Sequence, residues 1–428
     1  MRILSSIAAV AVSTLSTLNL NSISMAQDAV QNYCKTIPKR SDASDWPSKH
    51  AWDLFISLNH PAIDKMIARG VPDCTEQFGT PGATSVWETW RNAGSEVYKA
   101  DGSEPPFWDD TSLPDDNPGR VPRLPRLSLL TGIKPFFSPG DGVFHNDGGF
   151  GETRLNRATY EFIRAQCLYS VEGQQRYAQA ILAGKKPPIQ FPSDSIEVKA
   201  AWLDFSDPQG DGSVPPIPLE KQGTYYTAVF QGKAYGLTAL HILTKDLTNW
   251  FWATFRHKDA TTDDAETPDT YGPPNEIRGT VWENYRLGGT QTDFTLPTGE
   301  PTLLSDHYVE FNFLKTSCIT CHATAAISPE IAVSSSGKKF TAIPNAQLLA
   351  ICSIMPDAND AGIDTCKALL GDGAFKPGTN ILVTTRGDPD PTWFQRNGTP
   401  FYMQTDFVWS IPFRGKSETV APAPRCIW

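Results

Sequence analysis

Cys318-Ile319-Thr320-Cys321-His322 constrains this chain more than any other stretch. Two thiols three residues apart stand on one helical turn, and the histidine follows directly after the second. That spacing lets both sulfurs reach the two vinyl groups along one porphyrin edge while the imidazole goes under the iron. It is the attachment pattern of a c-type haem. In a chain with eight cysteines and seven histidines among 428 residues, chance yields the pattern about 0.002 times. Two other chemistries use Cys-x-x-Cys. A structural zinc site needs four ligands, and the sequence has neither a second Cys-x-x-Cys nor a His-x-x-x-His pair. A thioredoxin-type dithiol sits at a strand-to-helix junction and has no use for the histidine. The expected cofactor is one covalent haem c, linked at Cys318 and Cys321, with His322 as proximal iron ligand.

Such attachment follows export, so the N-terminus offers an independent check. Arg2 is followed by an uncharged apolar and small-residue run from Ile7 to Leu20, and Ser24-Met25-Ala26 closes it with a small-x-small pattern. Residues 1–26 therefore read as a secretory signal peptide. The run is too short, and too interrupted by Ser13, Thr14, Ser16, Thr17 and Asn19, for a membrane span. The mature chain, 27–428, is expected to be periplasmic. Its formal charge becomes one unit more negative than the −10 of the whole sequence once Arg2 is removed. That disfavours nucleic acid and anionic membranes and suits a redox partner protein or a small electron donor or acceptor. Outside the motif stand Cys34, Cys74, Cys167, Cys352, Cys366 and Cys426, an even number in an oxidising compartment. Six cysteines allow fifteen pairings; Cys352 with Cys366 closes the shortest loop, and Cys34 with Cys74 the next candidate.

Along the chain, Ser48 is placed to cap a helix with Trp52, Phe55 and Ile56 on its apolar face, stopped by Pro61. Helical spacing recurs from Arg154 to Leu168 and from Glu172 to Ala183, where Gly184 ends it. The period then changes to two. Ile196, Val198, Ala200 and Trp202 alternate with Glu197 and Lys199, predicting a half-buried strand. Thr224–Phe230 and Tyr235–Leu243 predict a hairpin, and Asn249–His257 another strand. A helix around Tyr308–Ala325 is expected to carry the motif, and Phe401–Phe413 reads as strand. The stretches 101–151 and 258–280, rich in Pro, Gly and Asp, read as long loops. The fold class is thus α+β: a central, mainly antiparallel sheet with flanking helices, the haem-bearing helix and its C-terminal flank packed upon it. One integrated unit is expected over 27–428, with haem attachment in about 301–428.

Trp52-Asp53-Leu54-Phe55, Val86-Trp87-Glu88-Thr89, Gly236–His241, Trp250–His257, the Cys-x-x-Cys-His pentapeptide and Gln404-Thr405-Asp406-Phe407-Val408-Trp409 span nearly the whole mature chain. Together they resemble periplasmic monohaem cytochrome c family proteins of Gram-negative bacteria. The resemblance implies haem binding and electron transfer and supplies no substrate.

What the iron would do depends on its sixth position. A methionine or histidine there makes a closed electron carrier, whereas an open site permits peroxide or oxygen chemistry. Met403 opens an apolar segment downstream of the motif, and Met355 is the other downstream methionine. His241 and His257 lie in apolar strands, as distal ligands, pocket acid–base groups or hydrogen-bonded core residues. His50, His60, His145 and His307 sit in loops or at helix ends. Arg256 and Lys315 suit haem propionates or ordinary surface ion pairs, and Asp406 suits a buried carboxylate held by backbone amides. Three functions follow in order: a monohaem electron carrier; a haem-dependent oxidoreductase of peroxidase or oxygenase type with an open distal site; a haem-based sensor or binding module. Ser334–Lys339 lacks the first glycine and the hydroxyl of a phosphate loop, and Asp207–Asp211 does not fit a helix–loop–helix calcium site.

Overall fold

The stretch richest in β-branched and aromatic residues builds the centre of the molecule. It gives strands Ile196–Asp204 (β3), Thr227–Phe230 (β4), Lys233–Thr244 (β5), Phe251–His257 (β6) and Tyr285–Gln291 (β7). The computed structural model describes residues 34, 42–111, 149–208, 215–230, 233–260, 264–306, 308–309, 316–333, 337, 339–341 and 387–427. With Arg91–Asn92 (β1) and Gly149–Leu155 (β2), these strands form a seven-stranded sheet in the order β1-β2-β3-β5-β6-β7, with β4 also paired to β5. Every pairing in it is antiparallel. Helices Pro47–Asn59 (α1), Arg157–Ala165 (α2) and Val171–Leu182 (α3) flank it, so the fold is α+β. No helix among the described residues is long and apolar enough to cross a membrane.

Both faces of the sheet are covered, and β6 shows how. All seven of its residues are buried. Alternate side chains point to opposite faces. Phe251 and Phe255 meet α1: the Phe55 and Phe255 ring centroids are 4.3 Å apart, Trp52 and Phe255 4.9 Å, His50 and Phe251 4.8 Å. Burying a Phe-sized side chain contributes about 1.5–3 kcal/mol, so Trp52, Leu54, Phe55, Ile56 and Leu58 make α1 the main cover of that face. The opposite face, with Trp252, Thr254 and Arg256, receives the Cys-x-x-Cys-His helix, Cys318–Ala323 (α4). Beyond α4 the chain forms Ala326–Ile327 (β8), which pairs antiparallel with Met403–Gln404 (β13). Ile331–Val333 (β9) pairs with Lys339–Thr341 (β10), and Gln395–Arg396 (β11) with Thr399–Pro400 (β12). Ser410–Arg414 forms a last short helix (α5).

Several sequence expectations need correction. Ser48 lies inside α1, whose N-cap is Trp46; its hydroxyl instead accepts from the Thr270 amide at 3.1 Å. Arg154 and Leu155 belong to β2, and α2 starts only after the Asn156 cap. β3 is not half-buried, because helices and loops cover both faces; Glu197 is buried with the apolar residues. The motif helix is six residues long and does not extend back to Tyr308. The segment 401–413 is mostly not strand: two residues pair with β8, a left-handed turn follows, and α5 begins.

Among the described residues, two disulfides tie this frame. Cys34 and Cys74 pair at a Cα separation of 5.5 Å, as their spacing suggested. Cys167 pairs with Cys426 at 5.8 Å, joining the end of α2 to the C-terminal tail. Cys352, Cys366, Met355, His145, His307, Lys315 and residues 1–26, expected to be a signal peptide, lie outside the described residues.

Candidate functional site

α4 is short because its support comes from outside. Ser317 Oγ caps it, accepting from the Thr320 amide at 3.3 Å. Gln291, at the end of β7, binds it to the sheet. Its Oε1 accepts from the Ile319 amide at 3.0 Å, while its Nε2 donates to Ser317 Oγ at 2.9 Å and Thr302 O at 2.7 Å. Helix carbonyls at a C-terminus have no partner within the helix. Here the tail provides them: Trp409 Nε1 donates to Cys321 O at 3.2 Å, Gln404 Nε2 to Ala323 O at 2.9 Å, and the Thr405 amide to Ala325 O at 2.9 Å.

On this scaffold Cys318 and Cys321 are half-buried and take part in neither disulfide. Cys318 Sγ lies 3.0 Å from Leu304 O. His322 is buried against the indole of Trp252, edge-on with centroids 4.6 Å apart, and faces Trp409 at 6.5 Å. Its Nδ1 donates to the Phe407 carbonyl at 2.8 Å. That bond fixes the ring and puts the proton on Nδ1, which leaves the basic lone pair at Nε2.

The carbonyl is aimed by an unusual turn. Asp406 and Phe407 have φ of 51° and 71°, left-handed in succession and without glycine. Asp406 is half-buried, with its side chain 9% exposed. It accepts one backbone amide, from Phe191 at 2.8 Å, and is paired as well with Lys245 Nζ at 2.6 Å. Burial pushes its carboxyl up from the ordinary range, opposed by Lys245.

The other sequence candidates are scattered around this centre. His257 lies on the α1 face: Nε2 donates to Thr224 O at 3.1 Å, Nδ1 accepts from the Asp259 amide at 3.1 Å, and Tyr225 stacks on it at 3.6 Å. Both nitrogens serve the backbone, and burial pushes its pKa down. His241 pairs in register with Thr254, which puts it on the Trp252 face, and its Nε2 lies 3.7 Å from Asp306 Oδ2. Met403, on β13, lines a hollow of about 240 Å³ with Ile181, Pro188, Ile189, Asp406 and Phe407. His50 meets Asp246 at 2.9 Å, and His60 donates to Pro61 O at 3.0 Å. Arg256 is not at the surface, as an exposed ion pair would require. It is fully buried and engaged by Asp264 at 2.8 Å, Glu266 at 3.1 Å, Asp306 at 3.3 Å and Ser305 O at 3.0 Å.

Gln291 and Lys245 carry the site's geometry and escaped the sequence, whereas Trp252 and Phe407 stood within the segments of the resemblance without a role assigned to them. Nothing in their local patterns distinguishes them from other strand or turn residues.

Cys318, Cys321 and His322 on α4 are the side chains that would hold a covalent haem. Among the described residues no three His, Cys, Asp or Glu side chains gather into a metal-ion cluster. A haem takes its two thioethers and its imidazole at points spread over the macrocycle, which one helical turn supplies. No protein-family model matches the chain, and no curated protein or solved structure matches it either.

Proposed function

We propose that this chain is a monohaem c-type cytochrome that passes single electrons between partners outside the cytoplasm. Cys318 and Cys321 would hold the group by thioethers, each formed by adding S–H across a vinyl bond, and His322 Nε2 would bind the iron. The observation that carries the reading is the bond from His322 Nδ1 to the Phe407 carbonyl. Histidines that bind iron are oriented through their second nitrogen, and a redox dithiol gives a buried, tryptophan-walled histidine no task. When bound, the haem supplies one-electron chemistry. The chain's own residues fix and dry its proximal side: Gln291 and Ser317 hold the helix, and Trp252 and Trp409 exclude water from the imidazole. Cys34–Cys74 and Cys167–Cys426 accord with an oxidising compartment, and hence with the periplasm.

Register favours His241 for the sixth position, because it shares the sheet face that carries Trp252. His257 faces the other way. Met403 borders Asp406 and Phe407, the turn that meets His322 Nδ1, and would not reach a group held at Nε2. A second reading draws on the same histidine: with Asp306 beside it, His241 would serve as the acid–base group of an oxidoreductase with open iron. Carbon monoxide titration of the reduced protein separates the two. The carrier reading expects the wild type to resist the gas and His241→Ala to bind it rapidly, with Met403→Ala and His257→Ala unchanged in spectrum. Rapid binding by the wild type would favour the enzyme. An unaltered spectrum and unaltered binding in His241→Ala would remove this residue as a ligand.

A further inference from the structure

We infer that the Lys245–Asp406 ion pair is a positioning device for His322, locking the turn that aims the Phe407 carbonyl at Nδ1 and thereby setting the reduction potential of the bound group. The inference rests on the haem reading above.

Left-handed backbone is tolerated by aspartate through local hydrogen bonding but disfavoured for phenylalanine. Two such residues in succession persist only where the surroundings over-determine them. Here three segments converge on Asp406. Oδ1 accepts from Lys245 Nζ at 2.6 Å, just past the end of β5, and Oδ2 accepts from the Phe191 amide at 2.8 Å, in the connection after α3. Lys245 is anchored in turn, donating to Thr248 O at 2.7 Å and lying 5.8 Å from the Trp250 ring centroid. The side chains of the pair are only 6% and 9% exposed. On its other side the turn is held by Thr405, whose amide donates to Ala325 O at 2.9 Å and whose hydroxyl donates to Val408 O at 2.9 Å.

The pair ties Asp406 to Phe191, Thr248 and Trp250, and its effect passes to the imidazole through the backbone of the turn and the one carbonyl of Phe407. A firm acceptor at Nδ1 makes Nε2 more electron-rich. An electron-rich ligand favours the oxidised iron. Loosening the turn should therefore raise the potential.

The test uses the haem-loaded protein. Asp406→Asn keeps the size and tolerates the left-handed backbone while removing the charge, and Lys245→Met removes the partner. Both are expected to raise the midpoint potential in a redox titration and to speed exchange of the His322 Nδ1 proton about tenfold by NMR. The double variant should go no further than the larger single change, and Lys245→Arg should restore both readouts. Folded, haem-loaded single variants with unchanged potential and exchange would show that the pair only stabilises the fold. If Lys245→Met does not fold, Asp406→Asn alone carries the same expectation and the same refutation. A wild type without attached haem would overturn the haem reading itself, a result distinguishable from either.

Discussion

His257 and His322 have the same ring, and their functions separate at the nitrogens. His257 gives both to the backbone, whereas His322 is steered by a carbonyl at Nδ1. The difference makes His257 a pH liability. Burial pushes its pKa below the ordinary 6.5, as it does for His60. The unfolded chain then binds a proton more readily than the folded one, so stability is full above about 6.5 and is lost as pH falls from there toward the depressed value. Thermal unfolding at about pH 7.5 and about pH 5.5 should show a larger loss on acidification for the wild type than for His257→Gln. Gln lacks a titrating ring but can still donate to Thr224 O. Equal losses in the two proteins would show that His257 does not titrate in this range.

At the scale of elements, the site depends on β6 and β7 having two working faces. Gln291 ends β7 on the face of Trp252, where it satisfies the Ile319 amide, Ser317 Oγ and Thr302 O at once. Gln291→Leu takes the bond made by Gln291 from the Ile319 amide and from Thr302 O, and unmade buried hydrogen bonds cost about 1–3 kcal/mol each. Calorimetry should find a clear drop in Tm, and haem attachment should fall because α4 frays; an unchanged Tm would mean that water replaces the amide. The sequence disclosed β3 to β6, α1 to α3 and the motif, because each is written in a local period or spacing. It misplaced the tail and the reach of α4. The left-handed turn at Asp406 has no glycine to announce it, and α4 is held by partners far away along the chain. Its strand reading also assumed one wet face, as alternation suggests, whereas here Glu197 is buried and Arg256 is buried within a network of carboxylates that a single-sequence pattern does not reveal.

Across the whole molecule, Cys167–Cys426 spans 259 residues and Cys34–Cys74 spans 40. A crosslink stabilises chiefly by restricting the unfolded chain, and the longer loop should contribute about 1.7 kcal/mol more. Replacing Cys167 and Cys426 by Ser should therefore lower the denaturation midpoint further than replacing Cys34 and Cys74; the reverse order would show that native strain outweighs loop length. The tail pinned by Cys426 also holds the turn behind His322, so sheet, motif and C-terminus share one packed cluster. All of this is built to present one imidazole beside two thiols. The most direct test is the mass and absorption of the protein matured in the periplasm of a haem-ligating host and then denatured in acid and organic solvent. The account predicts the polypeptide plus one haem, with the Soret band travelling with the chain and lost in the Cys318→Ala/Cys321→Ala double variant. A bare polypeptide mass with no Soret absorption would contradict it.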